Sequence, residues 1–188
     1  EAGEAVDWLK QFLREKIRNE HGMWGCVDVD DPRKLSRLVQ FAYHLFQIYF
    51  YDKDYDFNIE LIATLVLKTQ NGVGGYGVSI NSSACEDIDS IDLLVKLAPH
   101  LSGELHENLR VSLEKSFQWV LLNQCDDGGF VFRLSESLEY GNVEMSSRSN
   151  ESAMFPTWFR VLSIAYLADF LKINNGFVVL RCPGYEFK

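Results

Sequence analysis

The chain has 188 residues, a formal net charge of −9 and a sequence pI of about 4.9. An acidic domain repels phosphate backbones, so nucleic acid is excluded as a partner class. Hydrophobic residues make up 47% of the chain, which suits one compact domain. The longest apolar runs, 41–51 and 59–67, fall short of the roughly 18 residues of a membrane-spanning helix.

Six segments read as helices. The first, 4–18, sets Val6, Leu9, Leu13 and Ile17 on one face. The second, 32–51, is apolar on more than one side (Leu35, Leu38, Phe41, Leu45, Phe46). The third, 57–69, is short and very apolar. The fourth, 87–97, carries Ile88, Ile91, Leu94 and Val95, and the fifth, 104–124, is amphipathic through Leu105, Leu109, Leu113, Phe117 and Val120. The sixth, 151–172, is apolar almost all round. A helix apolar on every side has neighbours on every side. No segment shows a two-residue alternation, so the expected class is all-α.

Between the helices of each successive pair lies a turn ending Gly-x-aromatic. The turns are Arg18-Asn19-Glu20-His21-Gly22-Met23-Trp24, Gln70-Asn71-Gly72-Val73-Gly74-Gly75-Tyr76 and Gln124-Cys125-Asp126-Asp127-Gly128-Gly129-Phe130. Their aromatics stand 52 and 54 positions apart. A period of that length predicts three helical-hairpin repeats, about 4–51, 57–98 and 104–172, in one domain over 1–188. The first helices are expected outside and the second inside. The short third helix breaks this rule, which predicts that another subunit or further chain covers it. The link from aromatic to second helix lengthens from copy to copy. The longest stretch, 133–150, is serine-rich and reads as a lid or a disordered loop. The chain starts at Glu1 and ends in Gly184-Tyr185-Glu186-Phe187-Lys188, which reads as a piece of a longer protein.

The third turn resembles the QW motif of squalene and terpene cyclases. Trp119-Val120-Leu121-Leu122-Asn123-Gln124 followed by Gly128-Gly129-Phe130 follows that pattern from its aromatic onward, with Phe for the final Trp. Ser116 fills the small position, and Glu114 replaces the basic one. The second turn keeps Gln70, Gly74 and Tyr76 but has Leu65 for the aromatic. The first keeps Gly22 and Trp24 but has Arg18 for Gln. The same superfamily includes protein prenyltransferase β subunits and thioester-containing complement domains. The resemblance implies an α/α toroid, of which three hairpins form about half. It implies an apolar central cavity for a hydrophobic, isoprenoid-type small molecule, and a second half-ring from the same or another chain. Residues such as Gln70, Gln124, Trp24, Tyr76 and Phe130 are expected to hold the fold.

Two acidic clusters open second helices. Asp28-Val29-Asp30-Asp31 spells the DxDD string that resembles the proton donor of class II terpene cyclases, which makes Asp28, Asp30 and Asp31 the catalytic candidates. Such a donor must be held neutral by burial and nearby like charge. Asp31 before Pro32 is also an ordinary helix cap. In the second cluster Glu86, Asp87, Asp89 and Asp92 are ligand-binding candidates. If the two helix starts converge, these carboxylates are also ligands for a divalent cation. The resemblance to the prenyltransferase zinc site stops at Cys85, since no His lies in a matching position. Trp158 and Arg160 open the last helix and complete the ligand-binding candidates. Arg160 is expected to pair with Asp89 or Asp92, or to anchor an anionic group. The cysteines Cys26, Cys85, Cys125 and Cys182 form no Cys-x-x-Cys pair. They read as free thiols of a cytoplasmic protein. A non-catalytic scaffold or protein-interaction domain of the same fold is the competing expectation.

Overall fold

Capping chemistry decides where several of the helices begin. The computed structural model describes residues 2–25, 28–174 and 176, and Cys26 and Cys182 lie outside them. Helix α1 spans Ala2–Phe12 and continues as a π-helical turn over Leu13–Ile17. Helix α2 spans Pro32–Tyr51, with the Asp31 carboxylate accepting from the backbone N–H groups of Arg33 and Lys34. Helix α3 spans Ile59–Leu67 under an Asn58 cap. Helix α4 spans Ala84–Leu97 and opens with a capping box, in which Ser83 and Glu86 satisfy each other's backbone N–H. That box starts α4 three residues before the apolar periodicity does. Helices α5 and α6 span Gly103–Leu122 and Met154–Phe170. The chain is mostly helical. Among the described residues the strands are the two-residue β1 (Leu138–Glu139) and β2 (Ser146–Ser147), paired antiparallel.

α4 packs against α2 and α6, α3 against α2, α4 and α5, and α5 against α4 and α6. The core runs through all of them, with Phe46 from α2, Ile62 and Val66 from α3, Ile88 and Ile91 from α4, Leu109 and Leu113 from α5, and Leu167 from α6. The apolar α3 buries Ile62, Ala63, Leu65 and Val66 against its own chain. No second subunit is needed to cover it, which corrects the expectation above. The reason is that α4 and α5 both reach it.

The three turns share one geometry. Arg18 bridges Trp24, Gln70 bridges Tyr76 and Gln124 bridges Phe130, each as an isolated antiparallel pair. One turn bond recurs at nearly constant length, from Asn19 N to Met23 O (2.7 Å), Asn71 N to Gly75 O (2.8 Å) and Cys125 N to Gly129 O (2.8 Å). Gly22, Gly74 and Gly128 all take positive φ, which glycine adopts without steric cost. The aromatics Trp24, Tyr76 and Phe130 are all buried. The Trp24 indole donates to Leu13 O, and the Tyr76 hydroxyl pairs with Ser112 Oγ at 2.7 Å.

The long link after Phe130 is tied down. Asn81 exchanges hydrogen bonds with Leu134, through its side-chain amide to Leu134 O (2.8 Å) and from Leu134 N to its Oδ1 (3.0 Å). Arg133 reaches Glu86 at 2.9 Å, Leu138 is buried, and Tyr140 packs on Phe155 of α6. The stretch 133–150, expected as a lid or a disordered loop, therefore carries a small hairpin anchored to the starts of α4 and α6. The serine-rich composition gave no sign of the Asn81 and Arg133 anchors, which lie at its edge or outside it.

Candidate functional site

Asp28, Asp30 and Asp31 sit where capping chemistry puts them. Asp28 Oδ1 accepts from Asp30 N at 3.0 Å, and Asp28 and Asp30 are exposed. The backbone N–H groups of Lys34 and Arg33 hold the Asp31 carboxyl below its usual range. A proton donor needs the reverse. The structure therefore assigns Asp31 to helix capping and leaves all three without a dry environment.

The second cluster divides by helix face. Asp87 is the fourth residue of α4, and Thr157 is the fourth of α6. Both accept the N–H of the preceding turn aromatic, Asp87 from Tyr76 at 2.7 Å and Thr157 from Phe130 at 2.9 Å. Asp87 takes three further donors. They are Ser82 Oγ at 2.8 Å, Trp119 Nε1 at 2.8 Å and the Arg160 guanidinium. Arg160 spreads its Nη2 over Ser82 O (3.3 Å), Asn123 Oδ1 (3.2 Å) and Phe132 O (3.2 Å). Both charged side chains are 0% exposed. Arg160 thus pairs with Asp87 rather than with Asp89 or Asp92, because Asp87 lies on the side of α4 that meets α5 and α6. Nη1 and Nη2 are both turned to acceptors of the protein, and the buried Nε has no hydrogen-bond partner among the described residues. The arrangement crosslinks the starts of α4 and α6 with the end of α5.

Cys85, Asp89, Asp92 and Lys96 follow at helical spacing along another face of α4. Asp92 is fully buried. It accepts from Gln47 Nε2 of α2 at 2.9 Å, and its two oxygens lie 2.9 and 3.0 Å from Lys96 Nζ. Burial pushes its carboxyl up, against the pull of Lys96, Gln47 and Tyr43. Lys96 also donates to Gln47 Oε1 at 2.6 Å and lies over the Phe50 and Tyr166 rings. Asp89 is only 5% exposed and makes no side-chain hydrogen bond or ion pair with the described residues. Burial, and then the charges of Asp92, Glu86 and Asp87, push its carboxyl from 3.8 up to about 8. This shift favours the protonated form of Asp89 near neutral pH. One turn earlier, burial pushes the Cys85 thiol up to about 12, with Asp89 and Glu86 adding to it. Cys85 is a neutral thiol, not a nucleophilic thiolate.

Glu86 is held by Ser83 N and Arg133, and Trp158 is half exposed beside Phe159. The acids do not converge into a metal centre. Among the described residues, no three Asp, Glu, His or Cys side chains gather in a way that holds an ion. Asp87 is taken by Arg160 and Asp92 by Lys96, while Asp28 and Asp30 belong to a different helix start. A shallow groove of about 410 Å³ lies elsewhere, at the third turn, between Cys125, Asp127, Arg148 and Ser152. Gln47, Ser82, Trp119 and Asn123 complete these networks and were not legible as site residues. Each is an ordinary helix or loop polar residue until the fold brings α2, α5 and α6 to α4.

Compared with protein-family models, with curated proteins and with solved structures, the chain matches none. No described helix is long and apolar enough to cross a membrane.

Proposed function

We propose that this chain is part of an α/α toroid of the terpenoid-cyclase and prenyltransferase kind. In this reading α2, α4 and α6 form the inner wall. A hydrophobic, isoprenoid-type ligand lies along the α4 face that carries Cys85 and Asp89, and Asp89 supplies a proton to it. The single observation that carries the reading is the Asp89 carboxyl, buried to 5% exposure and without a side-chain hydrogen bond or ion pair among the described residues. Protonation of an alkene demands a carboxyl that keeps its proton near neutral pH. The like geometry of the three turns supports the ring. The proton donor moves from Asp28, Asp30 and Asp31 to Asp89 because, of these four, only Asp89 is buried.

Native mass spectrometry of the purified, unheated protein tests this. A bound lipid of isoprenoid mass, lost in Asp89→Arg but kept in Asp30→Asn, is the expected result. A ligand-free protein that also fails to bind added prenyl alcohols or diphosphates rejects it. A non-catalytic scaffold is the second reading. It is favoured by the Asp87–Arg160 pair, since two of the most polar buried groups are spent on joining helices.

A further inference from the structure

Asp89 and Asp92 stand three positions apart on α4, so they are neighbours on one side of the helix. Asp89 is 5% exposed and Asp92 is 0% exposed. Two carboxylates that close, taken out of water, do not both ionise unless a cation offsets one of them. That cation is Lys96, four positions beyond Asp92. It meets both oxygens of Asp92, donates to Gln47 Oε1 and lies over the Phe50 and Tyr166 rings. Gln47 Nε2 of α2 donates to the same carboxyl, and Tyr43 of α2 adds to the pull.

Asp89 receives none of this help. Lys96 is seven positions away, two turns along the helix. The other charges of the region are spent elsewhere. Asp87 is tied to Arg160 of α6, and Glu86 to Arg133. Arg33, Lys34 and Arg37 of α2, Glu60 of α3 and Asp169 of α6 are exposed. On α5, Arg110 is bound between Glu107 and Glu114, Glu104 and Lys115 are exposed, and His106 lies against Phe170. The charge that weighs most on Asp89 is therefore that of Asp92, ahead of Glu86 and Asp87. The charge that weighs most on Asp92 is that of Lys96.

We propose that Asp89 and Asp92 share one proton, and that Lys96 places it on Asp89 by taking Asp92 as its counter-ion. The two acids then ionise in separate steps, Asp92 first and Asp89 second. Asp92 and Lys96 are positioning residues, which set the state of the acid and touch no ligand. The inference deepens the reading above and rests on it for the use made of the proton. The sharing itself needs no ligand.

Carbon-13 NMR of the aspartate side-chain carboxyls, titrated in the folded chain, tests it. Asp92→Asn removes the neighbouring charge and keeps an acceptor for Lys96. The Asp89 midpoint is expected to fall by about 1–2 pH units, a ten- to hundredfold stronger acid. Lys96→Met is the sharper variant. Loss of a cation by itself raises the midpoint of a nearby carboxyl. Here the buried Asp92, without its counter-ion, takes up the proton, and the Asp89 midpoint is expected to fall instead. Circular dichroism checks that helix content is kept. If Lys96→Met loses it, the double variant Asp92→Asn with Lys96→Met removes the pair without stranding a charge. The midpoint is expected to fall there too, because Asp92 stands nearer to Asp89 than Lys96 does. An Asp89 midpoint that does not move in Asp92→Asn, or that rises in Lys96→Met, overturns the proposal. The expected shifts in a chain that binds no prenyl compound support the shared proton and reject only the use of the acid. Bound prenyl compound with an unmoved midpoint overturns the sharing and leaves the ligand reading standing.

Discussion

Replacing Arg160 by Met removes the cation of the Asp87 pair while keeping a long, unbranched side chain in the space. Asp87 keeps three donors, from Tyr76, Ser82 and Trp119, but loses its counter-charge in a site that is 0% exposed. Ser82 O, Asn123 Oδ1 and Phe132 O lose a donor each. Breaking a buried pair in this way costs about 3–5 kcal/mol, because a charge is left uncompensated. For a chain of this size the melting temperature falls by about 2–4 °C per kcal/mol. Urea unfolding followed by circular dichroism gives the free energy. Adding Asp87→Asn to Arg160→Met recovers part of the loss, since the stranded charge disappears with its partner. A single variant within about 1 kcal/mol of wild type, or a double variant whose losses simply add, refutes the claim that this pair joins α4 to α6.

Three other outcomes follow from the same geometry. Asp89 ionises at about 8 when folded, against an ordinary 3.8, so the folded chain holds a proton that the unfolded chain releases. That contribution to stability is full below about pH 4 and falls by up to about 1.4 kcal/mol per unit as pH rises towards 8. Asp89→Asn is expected to lack this fall in urea titrations at pH 5 and 8, and equal slopes would contradict it. Gly74→Ala, with a positive φ and Lys115 O at 2.5 Å from the new Cβ, is expected to cost at least about 2 kcal/mol more than Gly128→Ala, whose Cβ meets open space. Equal thermal shifts for the two would show that α5 does not press on the second turn. Cys85, its thiol pushed up to about 12, is expected to escape iodoacetamide at pH 8 while Cys125 is labelled, as read by peptide mapping. Equal labelling would place Cys85 in an open, polar setting.

Helix content was written plainly in the chain, because apolar residues at helical spacing and three glycine turns both survive without tertiary knowledge. The start of α4 was misplaced because its first turn, Ala84-Cys85-Glu86, carries no apolar periodicity. The Ser83–Glu86 box was the missed signal. The acidic clusters drew attention for the right residue type and the wrong reason. Nothing in Asp31 or Asp89 as letters says that one caps a helix and the other is buried within one. Arg160 was recognised as a buried cation, since no other charge shares its turn of helix. Its partner was misjudged because the choice between Asp87 and Asp89 is a choice of helix face, set by where α5 and α6 lie. The alternation of Asp87 and Thr157 at the fourth position of successive second helices was hidden by the longer loop before α6.

The account turns on Asp89, and carbon-13 NMR of its side-chain carboxyl, titrated in the folded protein and assigned by Asp89→Asn, measures it directly. The prediction is a midpoint at about 8, with a proton held throughout the neutral range. A midpoint at the ordinary aspartate value of about 4 would make Asp89 an ionised surface group and leave the α4 face without its acid.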